Sequence, residues 1–242
     1  MATANASAGR LTRKGLATRA RIVEAAAELM FRHGVAGTSN EDVLAAAHVS
    51  NSQLYHYFPD KNALVHAVIE HQADEIIDGQ RPLLDQLDSL AAFQQWRDML
   101  VDLQRQRHCE GGCPLGSLSS ELAETDEPAR TALAASFDRW EAPIRNGLRR
   151  MRDRGELDDD TDVDRLALGT LAALQGGLLL TQAKRDAGPL EAALDLAIGQ
   201  ISYHLTRGLV GQKCLPPRRL AGMAATAGRQ PFVMIMGTPA HM

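Results

Sequence analysis

The chain has 242 residues, 26 Lys and Arg against 30 Asp and Glu, and a formal net charge of −4, a balance that by itself argues against a nucleic-acid partner. Its hydrophobic fraction of 45% is ample for a core, no apolar run approaches the ~20 residues of a membrane span, and Met1 to Gly15 lacks the apolar centre of a signal peptide. Three cysteines are too few and too odd for a disulfide framework, so a cytoplasmic protein with no membrane partner is expected.

The distribution of charge points the other way from its sum. Arg10, Arg13, Lys14, Arg19 and Arg21 all precede the first acidic residue, Glu24. Residues 1–15 read as a flexible basic arm that follows phosphates or enters a minor groove; the alternative is a solubilising tail. A first helix follows from Arg19 to His33, with Ile22, Ala25, Ala26, Leu29 and Met30 at helical spacing and Gly34 as its C-terminal cap. Ser39 with Asp42, and Ser50 with Gln53, then write two capping boxes that open two short helices. Val43, Leu44 and Ala47 face one way on the first, and Val49, Leu54 and Phe58 on the second. Helices this short need a third to pack on, so residues 16–62 form a three-helix unit with a tight turn, the pattern of a DNA-reading helix-turn-helix.

The second short helix shows Asn51, Ser52, Gln53, Tyr55, His56 and Tyr57 to solvent, and Lys61 follows. The first turn of a recognition helix meets base edges, so Asn51, Ser52 and Gln53 are placed to read sequence, Gln53 being suited to adenine. Tyr55, His56, Tyr57 and Lys61 are expected to grip phosphate, joined by Arg13, Lys14, Ser39 and Asn40. A merely solvated polar face is the alternative, but adjacent tyrosines beside a histidine are unusual on a surface with no partner.

Residues from about Leu16 to His71 resemble the DNA-binding domain of the tetracycline-repressor (TetR) family of bacterial regulators. The resemblance rests on Thr38-Ser39, on Ala47-His48-Val49, on Leu54-Tyr55-His56-Tyr57-Phe58 and on Lys61. His48 departs from the Gly usual at that turn, where positive φ is expected and His is tolerated less well than Gly.

From 63 to 209 the chain reads as an all-α body. A long fourth helix begins at Leu64, with Pro82 near its end, and further helices are predicted at about Leu90–Arg107, Pro114–Ala123, Glu127–Arg154, Val163–Arg185 and Pro189–Leu209. In the last helix Leu190, Leu194, Ala197, Ile198, Ile201 and Leu205 make a stripe, and Gly169, Ala172, Ala173, Gly176 and Gly177 thin the one before it. The family resemblance implies a four-helix dimer interface here, with Gly169, Ala173, Gly177, Leu194, Ile198, Ile201 and Leu205 as its candidates; the alternative is that both stripes face the monomer core. A two-fold homodimer suits two heads reading a palindrome ~34 to 36 Å apart.

Trp96, Met99, Leu100 and Leu103, then Leu115, Leu118 and Leu122, then Phe137 and Trp140, then Leu171, Leu174, Gln175 and Leu178 are candidates to enclose a lipophilic effector, though each alone reads more readily as core. Gln175, an amide among leucines, needs a hydrogen-bond partner, and a ligand is one candidate. Cys109-Glu-Gly-Gly-Cys113-Pro-Leu-Gly resembles a stretch in one branch of the family. A redox pair at Cys109 and Cys113 is the alternative to inert buried thiols, and zinc lacks a fourth ligand beside His108, Cys109 and Cys113. No catalytic motif occurs, Ser119-Ser120 has no evident base, and no cofactor or metal is implied. Residues 210–242 are an Ala, Gly and Pro rich tail, expected to be mobile. Taken with the resemblance, the expectation is a ligand-responsive homodimeric repressor; a helical ligand-binding dimer without DNA binding is the other class.

Overall fold

The structure, a computed structural model, describes residues 12–205. Among them it holds nine α-helices: α1 Arg13–His33, α2 Asn40–Ala47, α3 Asn51–Tyr57, α4 Lys61–Asp78, α5 Leu90–Gln106, α6 Pro114–Leu122, α7 Glu127–Asp153, α8 Val163–Lys184 and α9 Gly188–Tyr203. The class is all-α, as the periodicity predicts. The tail from 210 to 242 lies outside the described residues, as does Arg10 of the basic arm.

In the head, Ile22, Val23, Ala26 and Met30 of α1 bury against Val43 and Ala47 of α2 and Leu54 and Phe58 after the turn. Both capping boxes form as the spacing predicts, Ser39 with Asp42 and Ser50 with Gln53. His48 takes φ 53, ψ 50, the left-handed turn expected of it. Arg21 assists there, its Nε donating to the Ala47 carbonyl at 3.1 Å, a cation placed on the last turn of α2 where the helix dipole favours one.

One boundary is corrected at the N-terminus. Helix α1 starts at Arg13 rather than Arg19, because Thr12 caps it by accepting from the Gly15 N–H at 3.2 Å. Arg13 and Lys14 therefore stand in the first turn of a helix, not on a flexible arm. No acidic residue balances them there, and positive charge at a helix N-terminus opposes the macrodipole. At the other end α9 stops at Tyr203, and Leu205 instead pairs with Leu157 in an isolated antiparallel bridge.

Helix α4 runs from the head into the body, burying Leu64, Val65, Val68 and Ile69 in a core continuous with both. It lies along α7, to which Asp74 is tied by Arg139. Helix α7 continues through Pro143, and at Gly147 it meets the Leu87 backbone so closely that no Cβ fits.

The α8–α9 pair corrects two expectations. Helix α8 is, by length and composition alone, long and apolar enough to cross a membrane; it is packed between α7 and α9, with Leu171, Leu174 and Leu178 buried. The stripe expected at a dimer interface faces inward: Leu194, Ile198 and Ile201 are core residues, and Gly177 lies against the Leu190 backbone of the same subunit. These positions serve α8–α9 contact within the monomer because Gly177 has no Cβ to hold the helices apart. Ala173 and Leu205 are half-buried, and Gly169 alone of that set faces open space. The opposite face of the pair is apolar and uncovered, with Leu168, Leu179, Leu180, Leu196 and Tyr203 all exposed.

Candidate functional site

Two sites emerge, one on the head and one between head and body. On the head, α3 presents Asn51, Ser52, Gln53, Tyr55 and His56 to solvent, while Leu54 anchors it from below. Tyr57 is half-buried and packs on the core, with its ring edge-on to His56 at 4.9 Å, so the two tyrosines differ in access.

Several expected contact residues already hold a structural partner. Gln53 Oε1 accepts from the Ser50 N–H at 2.9 Å, so a bidentate grip on adenine requires it to leave its cap. Ser39 Oγ accepts from the Asp42 N–H at 3.1 Å and donates to the Asp42 carboxylate at 2.6 Å. Asn40 donates to the Tyr55 hydroxyl at 3.2 Å, joining α2 to α3 across the groove-facing side. Lys61 Nζ donates to the carbonyls of Val35 at 2.6 Å and Thr38 at 2.8 Å. Two of its three protons thereby hold the α1–α2 connection, leaving one for a phosphate. Arg19 lies over the Phe58 ring, 5.1 Å from its centroid, the stacking of a guanidinium on the end of the recognition segment.

The second site is a cavity of about 880 Å³. Ala27 and Phe31 of α1, Gln72 and Ile76 of α4, Leu100, Leu103 and Gln104 of α5, the turn from Arg107 to Pro114, Trp140 of α7 and Leu178 of α8 form its walls. A smaller chamber of about 170 Å³ shares Ala27, Phe31, Gln72 and Pro114 with it and adds Leu118 and Glu121 of α6. Of the effector candidates chosen from spacing, Leu100, Leu103, Trp140 and Leu178 reach the large cavity and Leu118 the small one. Trp96, Leu122 and Leu171 are buried in the core, and Met99 and Phe137 are half-buried elsewhere. Trp96 and Trp140 converge on Gln80, whose Oε1 accepts both indole N–H groups at 2.9 and 3.3 Å and whose amide donates to the Ile76 carbonyl. That fixes the Trp140 ring as part of the wall.

Gln175 lines neither cavity. Its Nε2 is buried without a hydrogen-bond partner, and its Oε1 lies beside Gly116 in the first turn of α6. Cys113 caps that helix, its sulfur accepting from the Gly116 N–H at 3.4 Å. Burial pushes the Cys113 thiol up, against smaller opposing effects of the Gly116 N–H and the Gln175 amide. Cys109 is also buried, and neither cysteine is in a disulfide. A protonated, desolvated thiol is a poor nucleophile, so the redox alternative gains nothing from the geometry.

Head and body are clamped by one carboxylate. Glu121 near the end of α6 accepts from the Val35 N–H at 2.8 Å and the Ala36 N–H at 2.7 Å, just past the end of α1. Sequence spacing gives no signal for it, since the partners lie in different units.

A helix-turn-helix head with a polar recognition face, joined to a helical body across an open cavity, defines a DNA-binding transcription regulator. Residues 22–68 match the family described as bacterial regulatory proteins, tetR family, and residues 87–197 match the tetracyclin repressor-like C-terminal domain. The HTH-type transcriptional regulator in the lacX 3' region of Lactococcus lactis subsp. lactis is 29% identical over 74% of this chain and 90% of its own length. The HTH-type transcriptional repressor DhaR of Mycobacterium sp. (strain GP1) is 24% identical over 73% of this chain and 88% of its own. A TetR transcriptional regulator from Chloroflexus aurantiacus J-10-FL superposes with a TM-score of 0.67 at 28% identity, covering 80% of this chain and 98% of that one. The chain belongs to the TetR family.

Proposed function

We propose that the protein is a cytoplasmic homodimeric repressor that binds a palindromic operator and is released when a small lipophilic effector fills the cavity between α1, α4 and α5. The observation that carries this reading is the shared wall: the cavity is lined at once by the head's first helix, by the helix that joins head to body, and by body helices. A molecule that fits it between α4 and α5 changes how the head sits on the body. The physical requirement is that the effector prefer the DNA-incompetent state; a hundredfold preference is a coupling of about 2.7 kcal/mol. The name of the relative DhaR, a transcriptional repressor, supports repression as the outcome of DNA binding.

In this reading Asn51, Ser52 and Gln53 meet base edges, and Tyr55, His56, Tyr57, Lys61, Arg13 and Lys14 hold phosphate. Ser39 and Asn40 keep α2 and its contact to Tyr55 in place. The unbalanced cations in the first turn of α1 support a phosphate there, which relieves their conflict with the helix dipole. The dimer forms through the outer face of α8 and α9. Leu196 is 78% and Leu179 65% exposed, which is unusual for residues without a partner, and Gly169, Gly176 and Gly199 add open ground for close helix approach. Two heads so joined meet successive major grooves of one duplex face.

A gel shift with the DNA upstream of the protein's own coding region, repeated against a panel of lipophilic compounds, tests the reading. Retarded DNA that a compound releases, and that Leu103→Trp keeps bound in its presence, is the expected result. Release that survives the filled cavity would place the effector elsewhere. Leu180→Glu is expected to sediment as a folded monomer with weakened operator binding; an intact dimer would reject the outer face.

A further inference from the structure

The deep wall of the large cavity holds a side chain that the protein itself does not use. Gln104 is only 4% exposed. It falls on the buried stripe of α5 with Phe93, Trp96, Leu100 and Val101. Its backbone carbonyl accepts from the Cys109 N–H at 2.8 Å, but its side-chain amide bonds to none of the described residues, although Gln80 nearby satisfies both its oxygen and its nitrogen. Gln104 is on the cavity wall, and its amide atoms are not among those sealed from the void. A side-chain amide that opens into a cavity without a protein partner is positioned to be satisfied by what enters.

The surroundings restrict what that is. The cavity that Gln104 lines is also walled by Leu100, Leu103, Trp140, Leu178 and the buried Cys113, with Gln80 already committed to its own partners. The Trp140 N–H already donates to Gln80, so the ring offers carbon only. The charged residues of the cavity, Glu24, Glu28, Glu75, Glu110, Arg32 and Arg107, are all exposed to solvent, and His71 and Gln72 are half-buried. An ion drawn down to Gln104 would lose its water without meeting an opposite charge. A primary amide, by contrast, presents an acceptor and a donor side by side.

Resting on the assignment of this cavity to the effector, we propose that Gln104 is the effector's polar anchor, and that the effector is a neutral molecule whose apolar body carries adjoining hydrogen-bond donor and acceptor atoms, as a lactam or a primary amide does. The amide oxygen of Gln104 accepts the ligand N–H and its nitrogen donates to the ligand carbonyl. The apolar body lies along Trp140, Leu103 and Leu178.

The test uses the full chain and three probes of similar size: 2-quinolinone, whose N–H and carbonyl adjoin; N-methyl-2-quinolinone, which keeps only the acceptor; and 2-naphthoate, which is charged. Dissociation constants are measured by calorimetry for the parent, Gln104→Leu and Leu103→Trp. The parent is expected to prefer 2-quinolinone over each of the other two by about tenfold. Gln104→Leu should bring the two quinolinones to near parity while melting no lower than the parent, since the replacement removes an unpaired amide. Leu103→Trp should weaken all probes together. Four results overturn the anchor: no 2-quinolinone binding by the parent, no preference over the methylated probe, a preference that persists in Gln104→Leu, or equal or tighter binding of 2-naphthoate. A lower melting point in Gln104→Leu would also overturn it, by showing that the amide belongs to an internal network. If Leu103→Trp binds every probe as the parent does, the cavity assignment fails; if it blocks them while Gln104→Leu retains the preference, only the anchor fails.

Discussion

The head and the body use their polar side chains differently. On the head several of the groups expected to face DNA also hold the protein together: Ser39 and Gln53 in caps, Asn40 on Tyr55, Lys61 on the carbonyls of Val35 and Thr38. In the body the polar groups at the cavity divide. Gln80 is fully committed to two tryptophans and a carbonyl, while the Gln104 side-chain amide bonds to none of the described residues. A surface that must meet one fixed geometry is preorganised by internal bonds. A side-chain amide that opens into a cavity keeps a donor and an acceptor available to what enters.

The body should be the less forgiving region, since its helices meet backbone to backbone. A Cβ at Gly147 would come within 1.6 Å of the Leu87 carbonyl oxygen. Gly147→Ala is therefore expected to destabilise the protein by about 3 kcal/mol, the upper range of overpacking, because backbone cannot rotate away. Urea unfolding measures it, and a change below about 0.5 kcal/mol would mean that α7 slides freely past the Leu87 turn.

The clamp between the regions comes next. Glu121→Ala removes two charge-assisted bonds to the Val35 and Ala36 N–H groups. With the group half-exposed, the expected loss is about 2 kcal/mol. Hydrogen exchange at those two amides should accelerate, and the effector should release the operator less completely, since α6 no longer pulls on the end of α1. Unchanged exchange at Val35 and Ala36 would reduce the clamp to an ornament of the surface.

The same contrast explains how much of the molecule is legible in the sequence. Caps, turn and recognition face in the head depend on residues three or four apart, so Ser39-Asp42, Ser50-Gln53 and His48 can be read directly. The start of α1 is harder to place, because Thr12 gives a weaker signal than the apolar run that begins at Ile22. In the body, periodicity finds helices but cannot tell which apolar face meets what. The stripe through Leu194, Ile198 and Ile201 is the inner face of α9, and Leu196 and Tyr203, which interrupt it, mark the outer one. The cavity is legible only in part, through Leu100, Leu103, Trp140 and Leu178, because α1 and α4 supply much of its wall. Gln175 stands out as an amide among leucines; Gln104 sits on a buried stripe by the same criterion, and only the fold separates the one behind Cys113 from the one at the cavity.

Double employment on the head has a measurable consequence at Gln53. Gln53→Ala loses both the cap and any base contact. The cap contributes about 0.5 to 1 kcal/mol to α3, and a lost base contact relaxes sequence discrimination by about 1 to 3 kcal/mol at one position. Selection from random duplexes separates the two. A lower melting point with an unchanged consensus would leave Gln53 as a cap alone.

The smallest effect sets the two caps of the head against each other. Asp42 closes the box on α2, and its hydrogen bonds from the Ser39 hydroxyl and then the Ser39 N–H hold its carboxyl below the usual carboxylate value, with His33 adding a little. Gln53 closes the box on α3 with a group that does not titrate. A depressed folded pKa means that the stabilisation is fully present above the unfolded value of 3.8 and is lost as pH falls from there through the folded value. Asp42 is fully exposed, so the effect is slight and local to the start of α2. Acidification should thus loosen the start of α2 before that of α3. Monitoring amide exchange at Asp42 and Gln53 as pH is lowered through that window checks it, with Asp42→Asn as the control in which the pH dependence of α2 disappears. If both helix starts loosen together in the parent, or if the asymmetry survives in Asp42→Asn, another group governs the acid response of the head.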